Sequence, residues 1–146
     1  MRPAQVVDSL EALEAVAASF ALSLLPKESG ATLVTLSGDL GAGKTTFTQA
    51  VARALGVMDR VTSPTFVLQK SYNLENTAFK KLVHIDAYRL ESGKDLVPLT
   101  FADTLADAST LVMLEWPEMV VNGLPPVDVA VTLVAEEDNS RSISYA

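Results

Sequence analysis

The residues Gly38-Asp39-Leu40-Gly41-Ala42-Gly43-Lys44-Thr45 have the types and spacing needed to hold phosphate. They satisfy G-x-x-x-x-G-K-[ST] and add a third glycine inside the loop. Glycine admits backbone dihedrals that other residues resist, and it leaves no Cβ between the chain and a ligand. Successive N–H groups around Gly41, Ala42 and Gly43 can then turn inward as an anion nest at the positive end of a helix. Lys44 is placed to reach the β- and γ-phosphates of a nucleotide, and the Thr45 hydroxyl to ligate Mg²⁺. Nothing structural requires Lys and Thr directly after the last glycine, so a ligand-free Gly-rich turn explains the run poorly.

Hydrolysis of a bound nucleotide also needs an acid near the metal and a group that orients water. Glu115 follows the apolar run Leu111-Val112-Met113-Leu114, a pattern that sets a carboxylate at the end of a buried strand. It is assigned to the metal shell, against the plainer reading of a solvated strand-end acid. Asp86 follows Leu82-Val83-His84-Ile85 and is assigned to water positioning or an outer metal contact; its plainer reading is an ion pair with Arg89. His84 reads as a hydrogen-bonded strand residue rather than a catalyst. Trp116 suits a place beside the nucleotide, beside a partner or in the core. Thr65, in Ser63-Pro64-Thr65, offers a hydroxyl where many NTPases sense the γ-phosphate.

These residues need a frame. Thr32 to Leu36 is a β-branched and apolar run, read as a buried strand entering the loop. Lys44 to Leu55 leaves the loop as a helix with Phe47, Val51 and Leu55 in step, and Gly56 is suited to end it. Leu10, Leu13, Ala17, Phe20 and Leu24 recur at three and four, which predicts an amphipathic helix capped by Asp8 or Ser9. Phe66–Tyr72 and Phe79–Asp86 predict a hairpin. Leu90–Ser109 is mixed and interrupted by Pro98. Val127–Val134 and Ser142–Ala146 predict closing strands around a solvated turn, Glu136 to Arg141. Strand, phosphate-type turn, helix and further strands predict an α/β fold: one P-loop NTPase-like domain over residues 1–146, with a mixed parallel and antiparallel sheet flanked by helices.

At 146 residues the chain has room for one such domain and needs no covalent staple. It has 11 Lys+Arg against 18 Asp+Glu, a formal charge of -7, which argues against a free-standing nucleic-acid binder. It has no cysteine, which removes disulfides, thiolate nucleophiles and cysteine-ligated metals. The apolar stretch Ala15–Leu25 is preceded by Asp8, Glu11 and Glu14, unlike a secretory signal, and is too short to span a bilayer. A soluble cytoplasmic protein with no membrane contact is expected.

In order, the loop with Thr46, Ser63-Pro64-Thr65-Phe66, His84-Ile85-Asp86-Ala87-Tyr88-Arg89-Leu90 and Leu114-Glu115-Trp116-Pro117-Glu118 resemble the bacterial tRNA threonylcarbamoyladenosine biosynthesis ATPases, the TsaE family. The resemblance spans nearly the whole chain. It implies a small, partner-dependent ATP hydrolase that binds ATP and Mg²⁺. It further implies work with the proteins TsaB and TsaD, in which a threonylcarbamoyl group is placed on the adenosine beside the anticodon of tRNA. The transfer chemistry would belong to TsaD, and contact with tRNA would be indirect. By motif match, Gly38, Gly41, Ala42, Gly43, Lys44, Thr45 and Thr46 would line the nucleotide. Thr45 and Glu115 would hold the metal, and Lys44, Asp86 and Glu115 would act in catalysis. Trp116 would be needed for activity, Thr65 would sit near the γ-phosphate, and Arg141 and, more weakly, Ser9 would lie on the adenine side. One departure stands out: Leu96-Val97-Pro98-Leu99-Thr100-Phe101 lacks the glycine usual after the Leu-rich stretch.

Three other readings compete. A small P-loop kinase would carry an arginine-rich lid, and this chain has little length for one. A GTPase switch would carry Asn-Lys-x-Asp, which does not occur. A non-hydrolysing, nucleotide-dependent regulatory subunit is opposed only by Asp86 and Glu115.

Overall fold

The computed structural model describes residues 4–58, 69–75 and 77–146. Seven strands form one sheet in the order β1-β7-β6-β2-β5-β4-β3. They are β1 Gln5–Val7, β2 Thr32–Ser37, β3 Gln69–Asn73, β4 Lys81–Asp86, β5 Thr110–Glu115, β6 Val129–Ala135 and β7 Arg141–Tyr145. The inner strands β6, β2, β5 and β4 run parallel, while β7, β1 and β3 add antiparallel edges. This is the mixed sheet the sequence predicts. β1 was not expected. It is three residues long, pairs with β7 and buries Val7 in the core.

The strand faces follow the period of two. Val34, Leu36, Leu82, Leu111 and Met113 point to the side that α1 (Leu10–Ser23) and α2 (Lys44–Ala54) cover. Leu33, Val83, Ile85, Val112 and Leu114 point to the other side, against the 3-10 segment Gly93–Leu99 and α3 (Phe101–Leu105). Strand β5 is buried at every position, as a central parallel strand must be.

Helix ends follow local chemistry. Ser9 caps α1, its side chain accepting from the Ala12 N–H. The helix buries Leu13, Ala17, Phe20 and Ala21. Leu10, expected on the same face, is instead largely exposed at the first turn, and Leu24 falls just beyond the helix. Gly56, at φ 90, closes α2: its N–H bonds Arg53 O and the Val57 N–H bonds Ala52 O, the paired bonds of a Schellman ending.

Pro98 lies inside the 3-10 segment, and Thr100 after it takes φ 54 and ψ 39. That is the stretch where the chain lacks the family-type glycine. A β-branched residue held in the left-handed region costs about 1–3 kcal/mol, so glycine is the easier occupant there.

Candidate nucleotide-phosphate site

The carboxyl ends of three neighbouring parallel strands form the floor of the site. β2 ends at Ser37, β5 at Glu115 and β4 at Asp86, with Leu36 in register with Glu115 and Glu115 with Asp86. Ligands of open α/β sheets bind in the crevice outside such ends. Alternation along β4 and β5 turns His84, Asp86 and Glu115 to the face under α2. The loop Gly38–Gly43 then brings the first residues of α2 over them.

The loop has the dihedrals its composition predicts. Gly38, Gly41 and Gly43 have φ of 153, 81 and 103. Gly43 is also the N-cap of α2, so the first N–H groups of an 11-residue helix face the cavity with no side-chain cap.

A cavity of about 400 Å³ gathers Lys44, Thr45, Asp86, Arg89, Glu115 and Trp116. Gly41, Gly43, Thr46 and Tyr88 also border it. Gly38 and Ala42 do not: Gly38 lies against β6, and Ala42 is fully buried. A second hollow of about 340 Å³ shares Gly41, Gly43 and Thr46 with the first and is bounded by Ser9, Asn139 and Arg141. The Arg141 guanidinium donates to Gly41 O at 3.3 Å, which ties the β6–β7 hairpin to the loop. Thr65 lies outside the described residues.

Within the first cavity the Thr45 hydroxyl lies 3.1 Å from both Glu115 carboxylate oxygens. The Lys44 ammonium donates to Gly38 O at 2.5 Å and Asp39 O at 2.9 Å. It also sits 4.2 Å from the Trp116 ring centroid, within cation–π range. Burial lowers the Lys44 pKa, and the nearby carboxylates of Glu115, Glu118, Asp86 and Asp39 oppose that shift. Burial raises the Asp86 carboxyl above its usual range; the Tyr88 N–H, bonded at 3.0 Å, pulls the other way, and Glu115 adds to the rise. Arg89 borders the cavity and forms no ion pair with Asp86 among the described residues, so the plainer reading of Asp86 is not what the geometry shows.

His84 is buried and its Nε2 lies 2.5 Å from Glu115 Oε2. The sequence foresees a hydrogen-bonded strand residue but not this partner, 31 positions away. Trp116 takes φ 61 just after β5, and its ring packs against Tyr88 in a tilted arrangement, with centroids 5.0 Å and planes 49° apart. Tyr88 and Asn139 border the two hollows and were not singled out by sequence. Tyr88 falls inside the His84–Leu90 motif; Asn139, at φ 69 in a polar turn, carries no signal of its own.

Fold and site together define an α/β domain of the P-loop type. A profile for threonylcarbamoyl adenosine biosynthesis protein TsaE matches residues 7–143. The chain is 34% identical over 113 residues to the tRNA threonylcarbamoyladenosine biosynthesis protein TsaE of Bacillus subtilis, covering 77% of this chain and 68% of that one. It is 34% identical over 139 residues to the protein of the same name from Rickettsia conorii, covering 94% and 74%. The crystal structure of Bacillus subtilis YdiB superposes with a TM-score of 0.74 at 27% identity, covering 97% of this chain and 82% of that one. The chain belongs to the TsaE family, whose relatives here are named for tRNA threonylcarbamoyladenosine biosynthesis. None of its described helices is long and apolar enough to cross a membrane.

Proposed function

We propose that the chain is the ATP-hydrolysing subunit that supports threonylcarbamoyl transfer to the adenosine beside the anticodon of tRNA, acting with TsaB and TsaD. The observation that carries this reading is the convergence of Lys44, Thr45, Asp86 and Glu115 in one cavity at three strand ends. The Thr45 hydroxyl and the Glu115 carboxylate are hard oxygen donors facing one another. They suit Mg²⁺, which takes few protein ligands and completes its shell with water and phosphate oxygens. When bound, the ion would neutralise charge developing on the phosphoryl oxygens.

The residues of the chain would do the rest. The α2 N-terminus and the loop N–H groups cradle the phosphates. Lys44 exchanges its bonds to Gly38 O and Asp39 O for bonds to phosphate oxygens. Asp86, with one oxygen held by the Tyr88 N–H, keeps its other oxygen for water. Arg141 and Ser9 border the hollow next to the loop, on the adenine side. Arg89 is the arginine at the cavity rim. The acidic charge of -7 leaves tRNA to the partners.

Trp116 is the sole tryptophan, so its fluorescence reads the release of Lys44 from its ring. MgATP is expected to change that fluorescence, and ATP turnover is expected to be slow alone and faster with TsaB and TsaD. A fluorescence change without turnover under any condition would support the non-hydrolysing reading. Equal turnover with and without partners would remove their role in completing the site.

Asp86→Asn separates catalysis from stability. The variant keeps an oxygen for the Tyr88 N–H and removes the charge. The folded-state pKa of Asp86 lies above its ordinary value, so its ionised form costs the folded protein stability at neutral pH. That cost is relieved as pH falls through the folded pKa. Asp86→Asn should therefore melt at higher temperature while turnover drops about 10²-fold. Thermal denaturation at neutral pH beside single-turnover hydrolysis checks both signs.

A further inference from the structure

His84 sits in the middle of β4, fully buried beneath the α2 face, with its cross-strand partner Met113 on β5. Leu82 and Met113 flank it on the same face and belong to the core. An apolar side chain would fill this position at lower cost. The imidazole brings a polar ring into that core, and its Nδ1 has no hydrogen-bond partner among the described residues. A buried, unpaired ring nitrogen has lost its water with no hydrogen bond to offset the loss. Costs of that kind are concentrated at functional sites.

The other nitrogen shows what the ring does. Nε2 lies 2.5 Å from Glu115 Oε2, and both side chains are buried. An ionised carboxylate only accepts, so Nε2 carries the hydrogen whether the ring is neutral or charged. The two Glu115 oxygens are therefore not equivalent. Oε2 accepts from His84 and from Thr45, whereas Oε1 has Thr45 alone. The bond from below removes the carboxylate's freedom to rotate and leaves the spare acceptor capacity of Oε1 toward the cavity.

We propose that His84 is a positioning residue: its Nε2–H holds the Glu115 carboxylate in the orientation that takes up the Mg²⁺ accompanying the nucleotide. The assignment rests on the ATPase reading above. A hydrogen-bond partner behind a metal ligand commonly sets metal affinity by about 10–100-fold. The role is separate from chemistry, because His84 lies beneath Glu115 and does not border the cavity.

The test uses the full chain with His84→Leu and His84→Gln. Leucine fills the volume without a donor; glutamine offers an N–H at comparable reach. The readout is the Mg²⁺ concentration that half-saturates the Trp116 fluorescence change with ATP, measured beside kcat at saturating Mg²⁺. His84→Leu should raise that concentration about 10–100-fold, with kcat largely recovered at saturation. His84→Gln should restore it to near the wild-type value. A Leu variant that matches wild type, or a Gln variant as impaired as Leu, overturns the assignment. His84 is the only histidine, so its ring nitrogens can be followed without ambiguity by ¹⁵N NMR of the wild-type protein. This decides the matter even if His84→Leu does not fold. The expected spectrum is an Nε2-protonated ring whose signals move when Mg²⁺ is added to nucleotide-saturated protein; an unprotonated Nε2 or an unmoved ring overturns the assignment. Wild-type protein with no Mg²⁺ effect on fluorescence or turnover overturns the ATPase reading and this assignment together. A half-saturating Mg²⁺ concentration that is unshifted in the Leu variant overturns the assignment alone.

Discussion

Glu115→Gln is expected to lower ATP turnover about 10³-fold and to abolish its ordinary Mg²⁺ dependence. The substitution conserves volume at a buried position, so folding should survive it. What changes is the donor and acceptor pattern. The carboxylate accepts from the Thr45 hydroxyl and from His84 Nε2 at the same time. Glutamine has one oxygen for two donors. If that oxygen faces His84, its NH₂ faces Thr45 and donates to the hydroxyl oxygen. One substitution then removes the negative charge and occupies the lone pair of the second metal donor. It also removes a charge that helps raise Asp86 and opposes the lowering of Lys44, so both should shift. Turnover titrated against Mg²⁺ checks this. An unchanged half-saturating concentration would show that Glu115 lies outside the metal shell.

Gly38→Ala should destabilise the fold by about 4 kcal/mol, combining strain at a left-handed φ with overpacking. Gly38 has φ 153, and a Cβ there would lie 2.4 Å from the backbone oxygen of Leu133 on β6 and 3.1 Å from Ala42 Cβ. Backbone in the middle of a strand cannot yield as a flexible side chain can. The loop would have to move, taking with it the carbonyl that Lys44 binds. Gly41 is the internal control. Its φ is 81, but nothing lies within 4 Å of a Cβ built there, so Gly41→Ala should cost only about 1 kcal/mol of backbone strain. Thermal denaturation of the pair should separate them by roughly 6–12 °C. Equal melting temperatures would mean that the packing of Gly38 against β6 is not a constraint on the fold.

The two glycines show how far local sequence carries. Both stand in one motif, and both are expected to take dihedrals that other residues resist. Only the sheet order, with β6 beside β2, tells a glycine required by a neighbouring strand from one required by its own turn. The same limit applies to the helices. The three-four spacing located α1, but Leu10, in phase with the rest, is largely exposed as the first residue of the helix. β1 has no signal because three residues hold no period, and its partner β7 lies at the far end of the chain.

By itself the sequence determined the phosphate-type loop between a strand and a helix and the apolar strands that end in acids. These are properties of neighbouring residues, set by dihedral preference and by the periods of two and 3.6. Tertiary structure alone decided which strands lie side by side. It therefore decided that Glu115 meets both Thr45 and His84, that Lys44 rests on Trp116, and that Arg141 reaches Gly41 across 100 positions. Each of those contacts joins segments whose local patterns say nothing of one another. They are brought together by burying both faces of a shared sheet.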